Sequence, residues 1–270
     1  MAVLLASLLD ADWEMLEDEV RAVETAGVDG FSLDIIDGHF VPRVTFGPDA
    51  VSAIRNMTDI PLEVHLMVIE PENQVEKFCD AGADQVIFQL EAADDPLAII
   101  GYIKGRGIQA GLSLLIETPL EVITDRMLES IDALNFMAVP VGYGGQKVSD
   151  KTIERIQAVR KRAERINPLL AIEIDGGMKP DNCAEYAAAG ADAIIIGTGI
   201  YKSGDYGTAV RTAKQNMSAN DFESRKRMEA FLSGPSGKFA GDADRRRRLE
   251  QIRIELGIPQ SAWDPLNSRR

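Results

Sequence analysis

The chain is short of cysteine, histidine, positive charge and long apolar runs. Its two cysteines, Cys79 and Cys183, are far apart and unaccompanied. That argues against a disulfide framework and suits free thiols in a reducing compartment. There are only two histidines, His39 and His65, so any imidazole chemistry must draw on those. No segment reaches the roughly eighteen uninterrupted apolar residues that a membrane span needs. The N-terminal "MAVLLASLLDADWE" lacks a basic leader and meets acids by residue 10, so it reads as a first strand and not a signal peptide. A cytoplasmic location is expected. Lysine and arginine number 29 against 43 acids, a net charge of −14, which disfavours a nucleic-acid surface. The exception is "RRRR" at 245–248, either a solvated helix face or a local contact for phosphate or an acidic partner. No GxxxxGK[ST] loop occurs, and no GxGxxG follows a first strand, so triphosphatase, nicotinamide and flavin readings lack support.

What is present is repetition. "AGVDGFSLDI" from 26, "AGADQVIFQL" from 81 and "AGADAIIIGT" from 189 each follow an amphipathic helical stretch. Glycine just past a helix end takes the left-handed conformation without a Cβ clash, and the apolar run after it reads as a buried strand. Each copy is therefore a helix-to-strand joint, and recurring joints predict a parallel sheet. Further strands are expected at 3–9, 62–68, 109–115, 133–139 and 170–175, with helices such as 11–26 and 150–165 between them. Asp10 or Asp12 is positioned to cap the first helix. Eight strand–helix units in about 215 residues predict a (β/α)8 TIM barrel, with a doubly wound open sheet as the alternative. The barrel is expected over 1–217. Residues 218–270 turn Gly-rich, then charged, and read as a C-terminal extension, helical and turn-rich.

In a parallel barrel, functional groups gather at the C-terminal strand ends. The expected ends carry Ser7, Asp34, His65, Gln89, Met137 and Asp175. Asp34 or Asp175 alone reads as a turn or helix cap. Together with His65 they suggest a cavity in which two carboxylates do acid–base work on opposite faces of a substrate. The bland alternative for His65 is a satisfied core histidine. Asp37 reads as a turn former, and His39 as a loop group near the mouth. Glycine clusters "GYGGQ" (142–146), "DGG" (175–177) and "GTG" (197–199) follow three successive strands. Backbone N–H groups of such loops cradle phosphate, so a phosphorylated substrate is expected.

At these residues the chain resembles the ribulose-phosphate 3-epimerase family. The matching segments are "ASLLDAD" (6–12), "LDIIDGHFVP" (33–42), "LEVHLM" (62–67), "GYGGQK" (142–147), "IDGGMKPDN" (174–182) and "AGADAIIIGTGIY" (189–201). The resemblance covers about residues 1–216. It implies a barrel enzyme inverting C3 of a ketose phosphate, with Asp34 and Asp175 as the two acid–base groups. It implies a divalent metal of the zinc, iron or manganese class held by Asp34, His65 and Asp175. Ser7, His65, Met67 and Met137 would contact the sugar. Gly144, Gly145, Gly176, Gly177, Gly197 and Thr198 would hold the phosphate. A homo-oligomer is expected, with neither nucleic acid nor membrane as partner. The chain departs from the family where a second histidine ligand is usual: Ser32 stands there. Gln89 stands for a usual histidine, Leu115 for an asparagine, Pro140-Val141 for Asn-Pro, and Ile36 for a cavity methionine. Two readings compete with the epimerase: a lyase or aldolase using the same enediolate, and a non-catalytic sugar-phosphate-binding protein.

Overall fold

The computed structural model describes residues 2–141, 146–218 and 227. Eight strands run in chain order: β1 (Val3–Ser7), β2 (Gly30–Ile36), β3 (Leu62–Met67), β4 (Gln85–Gln89), β5 (Gln109–Leu114), β6 (Ala133–Met137), β7 (Ala171–Asp175) and β8 (Ala193–Ile196). Neighbours pair in parallel, and β8 returns to β1 through Val3↔Ala193 to Ala6↔Ile196. The sheet is thus a closed barrel, and the open-sheet alternative is excluded. Closure leaves no sheet edge unpaired.

Every residue of these strands is buried, which explains their near-continuous apolar runs. One set of alternate side chains, including Phe31, Leu33, Val64, Phe88, Phe136 and Ile174, packs outward in the large core shared with the helices. Val3, Leu5, Ile87, Ala133, Ala171, Ala193 and Ile195 form a separate apolar plug inside the barrel. The rest of the interior is polar: Ser32, Glu63, Gln85, Asn135 and Glu173 are all buried.

The joints behave as the repeat predicts. Gly27, Gly82 and Gly190 have φ of 100°, 102° and 115°, left-handed values that suit glycine. The strands are shorter than the apolar runs. Strand β1 stops at Ser7 because residues 8–10 form a 3-10 turn, with Leu9 N donating to Ser7 Oγ at 3.4 Å. The first helix likewise divides into a 3-10 turn at Trp13–Met15 and a helix at Leu16–Ala26, and the other lies at Thr152–Ile166. Asp12, not Asp10, caps the turn through Glu14 N at 3.0 Å. Cys79 and Cys183 are free and buried, and burial pushes both thiols up to about 11.

One aspartate precedes each even strand and clamps the odd strand before it. Asp29, Asp84, Asp132 and Asp192 each donate a backbone N–H to the carbonyl of Leu4, Leu62, Ala110 or Ile172. Each Oδ2 accepts the N–H of that same residue, at 2.9–3.0 Å. Lys214, Arg55 and Lys104 pair with the first three carboxylates, at 2.7, 2.8 and 2.9 Å. Asp192 takes two buried arginines: Arg160, and Arg227 at 2.9 Å. Arg227 belongs to the expected 218–270 extension, whose remaining residues, Ser218 apart, lie outside those described.

Removing Asp192 leaves two buried guanidinium groups without their shared anion, a loss of about 3–5 kcal/mol. Asp192→Ala should therefore lower the denaturant-unfolding free energy by more than Asp132→Ala, whose Lys104 partner is 40% exposed. Equal losses would show that the double pairing adds nothing.

Candidate active site

The register brings the candidate residues to one end of the barrel. Asp34 and His65 are opposite partners across β2 and β3. Met137 and Asp175 are opposite partners across β6 and β7. The cavity at this end is lined by Ser7, Asp34, Met67, Met137 and Asp175, with Gly176, Gly177, Gly197 and Thr198 on one side. His65 lies beneath the two aspartates, fully buried. Its Nδ1 is 3.5 Å from Asp34 Oδ1 and 3.9 Å from Asp175 Oδ2. Ser7 Oγ donates to Asp34 Oδ2 at 3.0 Å. The core-histidine reading is therefore replaced by one in which the imidazole joins the two carboxylates.

Three ligand atoms, one each from Asp34, His65 and Asp175, lie within 4.8 Å of one another. Asp34 Oδ1 and His65 Nδ1 are buried without a hydrogen-bond partner. Two carboxylates and one imidazole, converging with unsatisfied atoms, fit a divalent cation. Gln89 Nε2 sits 3.0 Å from His65 Nε2 and 3.0 Å from Ser113 Oγ, while Gln89 Oε1 has no partner. Turning this amide lets Oε1 accept from both groups and leaves the Nδ1 lone pair facing the carboxylates. Ser32 is not part of the cluster: its hydroxyl donates across to its strand partner, Glu63 Oε1, at 2.7 Å.

The electrostatics are strongly acidic. Burial pushes the Asp175 carboxyl well above the usual range, and repulsion from Asp34 and Glu63 adds to it. One step below, burial and then Glu173 raise Glu63 well above its ordinary value. Burial brings Glu173 up to about 7, with the Gln85 hydrogen bond opposing. Protonation is how such buried acids avoid an uncompensated charge.

The phosphate-loop candidates are partly gathered. Gly176 and Gly177 have positive φ, and a Cβ on Gly177 would come within 2.5 Å of Gln146 O. They line the same cavity as Gly197 and Thr198. Gly144 and Gly145 lie outside the described residues. His39 is 72% exposed and joins no metal-ligating cluster among the described residues. Two charged lining residues were not anticipated, Asp10 and Lys179. Lys179 stands in "DGGMK", four residues beyond Asp175, a loop position that strand-end reasoning passes over. Asp10 reads locally as a helix cap.

A model of the Ribulose-phosphate 3 epimerase family matches residues 3–201. Ribulose-phosphate 3-epimerase of Mycobacterium tuberculosis is 36% identical over 217 residues, 80% of this chain and 93% of the relative. The chloroplastic ribulose-5-phosphate-3-epimerase of Arabidopsis thaliana is 38% identical over 216 residues, covering 78% and 76%. Among solved structures, KGPDC from Streptococcus mutans matches with a TM-score of 0.63 at 14% identity, covering 80% of this chain and 96% of that one. This last is a likeness of fold alone.

The turn beside the site is held by one carboxylate. Asp37 accepts His39 N and Phe40 N on Oδ1, at 2.8 and 3.0 Å, and Ile69 N on Oδ2 at 2.9 Å. Burial raises this carboxyl, but the N–H groups of Phe40, His39 and Ile69 outweigh that and hold it below its ordinary value. A lowered acid contributes stability above its unfolded pKa, and that contribution is lost as pH falls through the folded value. Asp37→Asn should cost about 1 kcal/mol at neutral pH. The difference from wild type should close as pH falls below about 4, the ordinary value of the unfolded carboxyl, and on through the lowered folded value. A gap independent of pH would contradict a charged clamp.

Proposed function

The chain belongs to the ribulose-phosphate 3-epimerase family, and from that premise we propose that Asp34 and Asp175 carry the C3 inversion of a ketose phosphate. The observation behind this assignment is the pair of buried carboxylates, from β2 and β7, converging on one imidazole at the mouth of the barrel. A substrate lying over His65 would have one aspartate on each face of C3. Asp34, oriented by the Ser7 hydroxyl, takes the C3 proton. The electrons of that bond pass to the C2 carbonyl, giving an enediolate. Asp175, which its surroundings favour in the protonated form, returns a proton to the opposite face. In the reverse direction the roles exchange. Met67 and Met137 wall the reacting carbon from water, and the loops carrying Gly176, Gly177, Gly197 and Thr198 face the distal phosphate.

Asp34, His65 and Asp175 are the residues that would hold a divalent cation of the zinc, iron or manganese class. When bound, it supplies Lewis-acid stabilisation of negative charge on the substrate oxygens. With Ser32 turned toward Glu63, the protein offers three ligands, a number that catalytic metal sites use. Its two buried free thiols are in keeping with the cytosolic location we assign.

Asp175→Asn should lower ribulose 5-phosphate epimerisation by about 10²–10⁴-fold and abolish exchange of the C3 proton with D2O. An Asn variant that keeps full turnover would end the two-carboxylate mechanism. Calorimetric titration with Mn2+ or Zn2+ should show about one equivalent bound per chain. The same Asn variant should bind the ion more weakly, because a neutral amide is a poorer ligand than a carboxylate. Undiminished ion binding would remove Asp175 from the ligand set.

A further inference from the structure

Resting on the reading of this site as a ketose-phosphate epimerase, we propose that Asp10 is a specificity-determining residue that turns the distal end of the cavity against the phosphate dianion. Asp10 ends the 3-10 turn that follows β1. Its Oδ2 accepts the Thr198 hydroxyl at 2.8 Å, across 188 residues of chain. A Cβ built on Gly197 would collide with that same oxygen. The carboxylate therefore lies directly against the bare backbone at the end of β8. That is where loops after the last two strands of such a barrel receive phosphate, and Gly177, Gly197 and Thr198 all line this cavity.

Two consequences follow from the placement. First, the Thr198 hydroxyl has one proton, and Asp10 already takes it. A phosphate must either displace the carboxylate or do without that donor. Second, an acid and a phosphate sharing one cradle repel at contact distance, in a setting less polar than bulk water. Among the described residues no cation pairs with Asp10. Lys179 lines the same cavity and is, among the described lining residues, the cation that can offset a phosphate charge. An uncharged hydroxyl at the distal end meets neither difficulty, because it can donate to Asp10. The structure thus favours ketoses with a neutral distal end more than a cradle of glycine and hydroxyl groups alone would.

Asp10→Asn keeps the shape of the side chain and removes its charge; Asp10→Ser removes both charge and bulk. The full chain and both variants would be compared in two assays. One is calorimetric binding of inorganic phosphate. The other is C3 proton exchange in D2O with ribulose 5-phosphate and with ribulose, giving kcat and KM for each. Both variants should bind phosphate about 10–100-fold more tightly. The ratio of kcat/KM for ribulose 5-phosphate over ribulose should rise by a similar factor, with the gain in KM. If both variants show native circular dichroism and phosphate binding is unchanged or weaker, the assignment of Asp10 is overturned. If neither sugar exchanges its C3 proton in any of the three proteins while phosphate binding tightens, the epimerase reading fails and the role of Asp10 in the cradle stands.

Discussion

Four acids share the inside of this barrel with a single imidazole, and that imbalance governs the rest of the structure. Asp34, Glu63, Glu173 and Asp175 are all buried. Carboxylates removed from water are tolerated only when protonated, hydrogen-bonded or paired with a cation. The first two of these are visible. Ser7, Ser32 and Gln85 donate to three of the four acids. Glu63, Glu173 and Asp175 are driven toward their neutral forms. The atoms left over, Asp34 Oδ1 and His65 Nδ1, are those that converge at the mouth. The apolar plug of Val3, Leu5, Ile87 and Ile195 shares the barrel interior with this polar layer. The barrel confines its excess charge to one place, and the chemistry follows from that confinement.

The departures from the family pattern make more sense together than singly. Ser32 stands where a histidine ligand is usual, and its hydroxyl serves Glu63 instead. Gln89, also in place of a histidine, holds the far nitrogen of His65 and is itself hydrogen-bonded to Ser113. The chain keeps one imidazole and surrounds it with neutral polar groups that fix its orientation.

Much of this was legible beforehand, for local reasons. The Gly–apolar joints specify helix ends and strand starts within ten residues, and the acids at strand ends stand out against apolar neighbours. Three of the four clamping aspartates were visible as part of the repeat, but their clamp on the preceding strand was not, because the partner N–H lies 20–25 residues earlier. Barrel closure was ambiguous because periodicity reports which face a residue takes and not which strand it meets. Asp10 looked like a cap because its actual partner, Thr198, is at the other end of the fold. Lys179 was missed because it is a loop residue, and strand-end reasoning stops at Asp175.

The four aspartate clamps also bear on how the chain finds this fold. Each closes a loop of 20–25 residues between an odd strand and the even strand after it. Loops of that size close at modest entropic cost, and short-range contacts favour rapid folding. Register within each strand pair is therefore decided locally. The pairing of β8 with β1 joins Val3 to Ala193, the longest separation in the sheet, and has no such local guide. The closed sheet thus joins four locally clamped strand pairs, and the β8–β1 seam is the junction that brings the two ends of the fold together. Ser7 and Asp10 lie on one side of that seam and Gly197 and Thr198 on the other, so the distal end of the cavity is complete only when folding is.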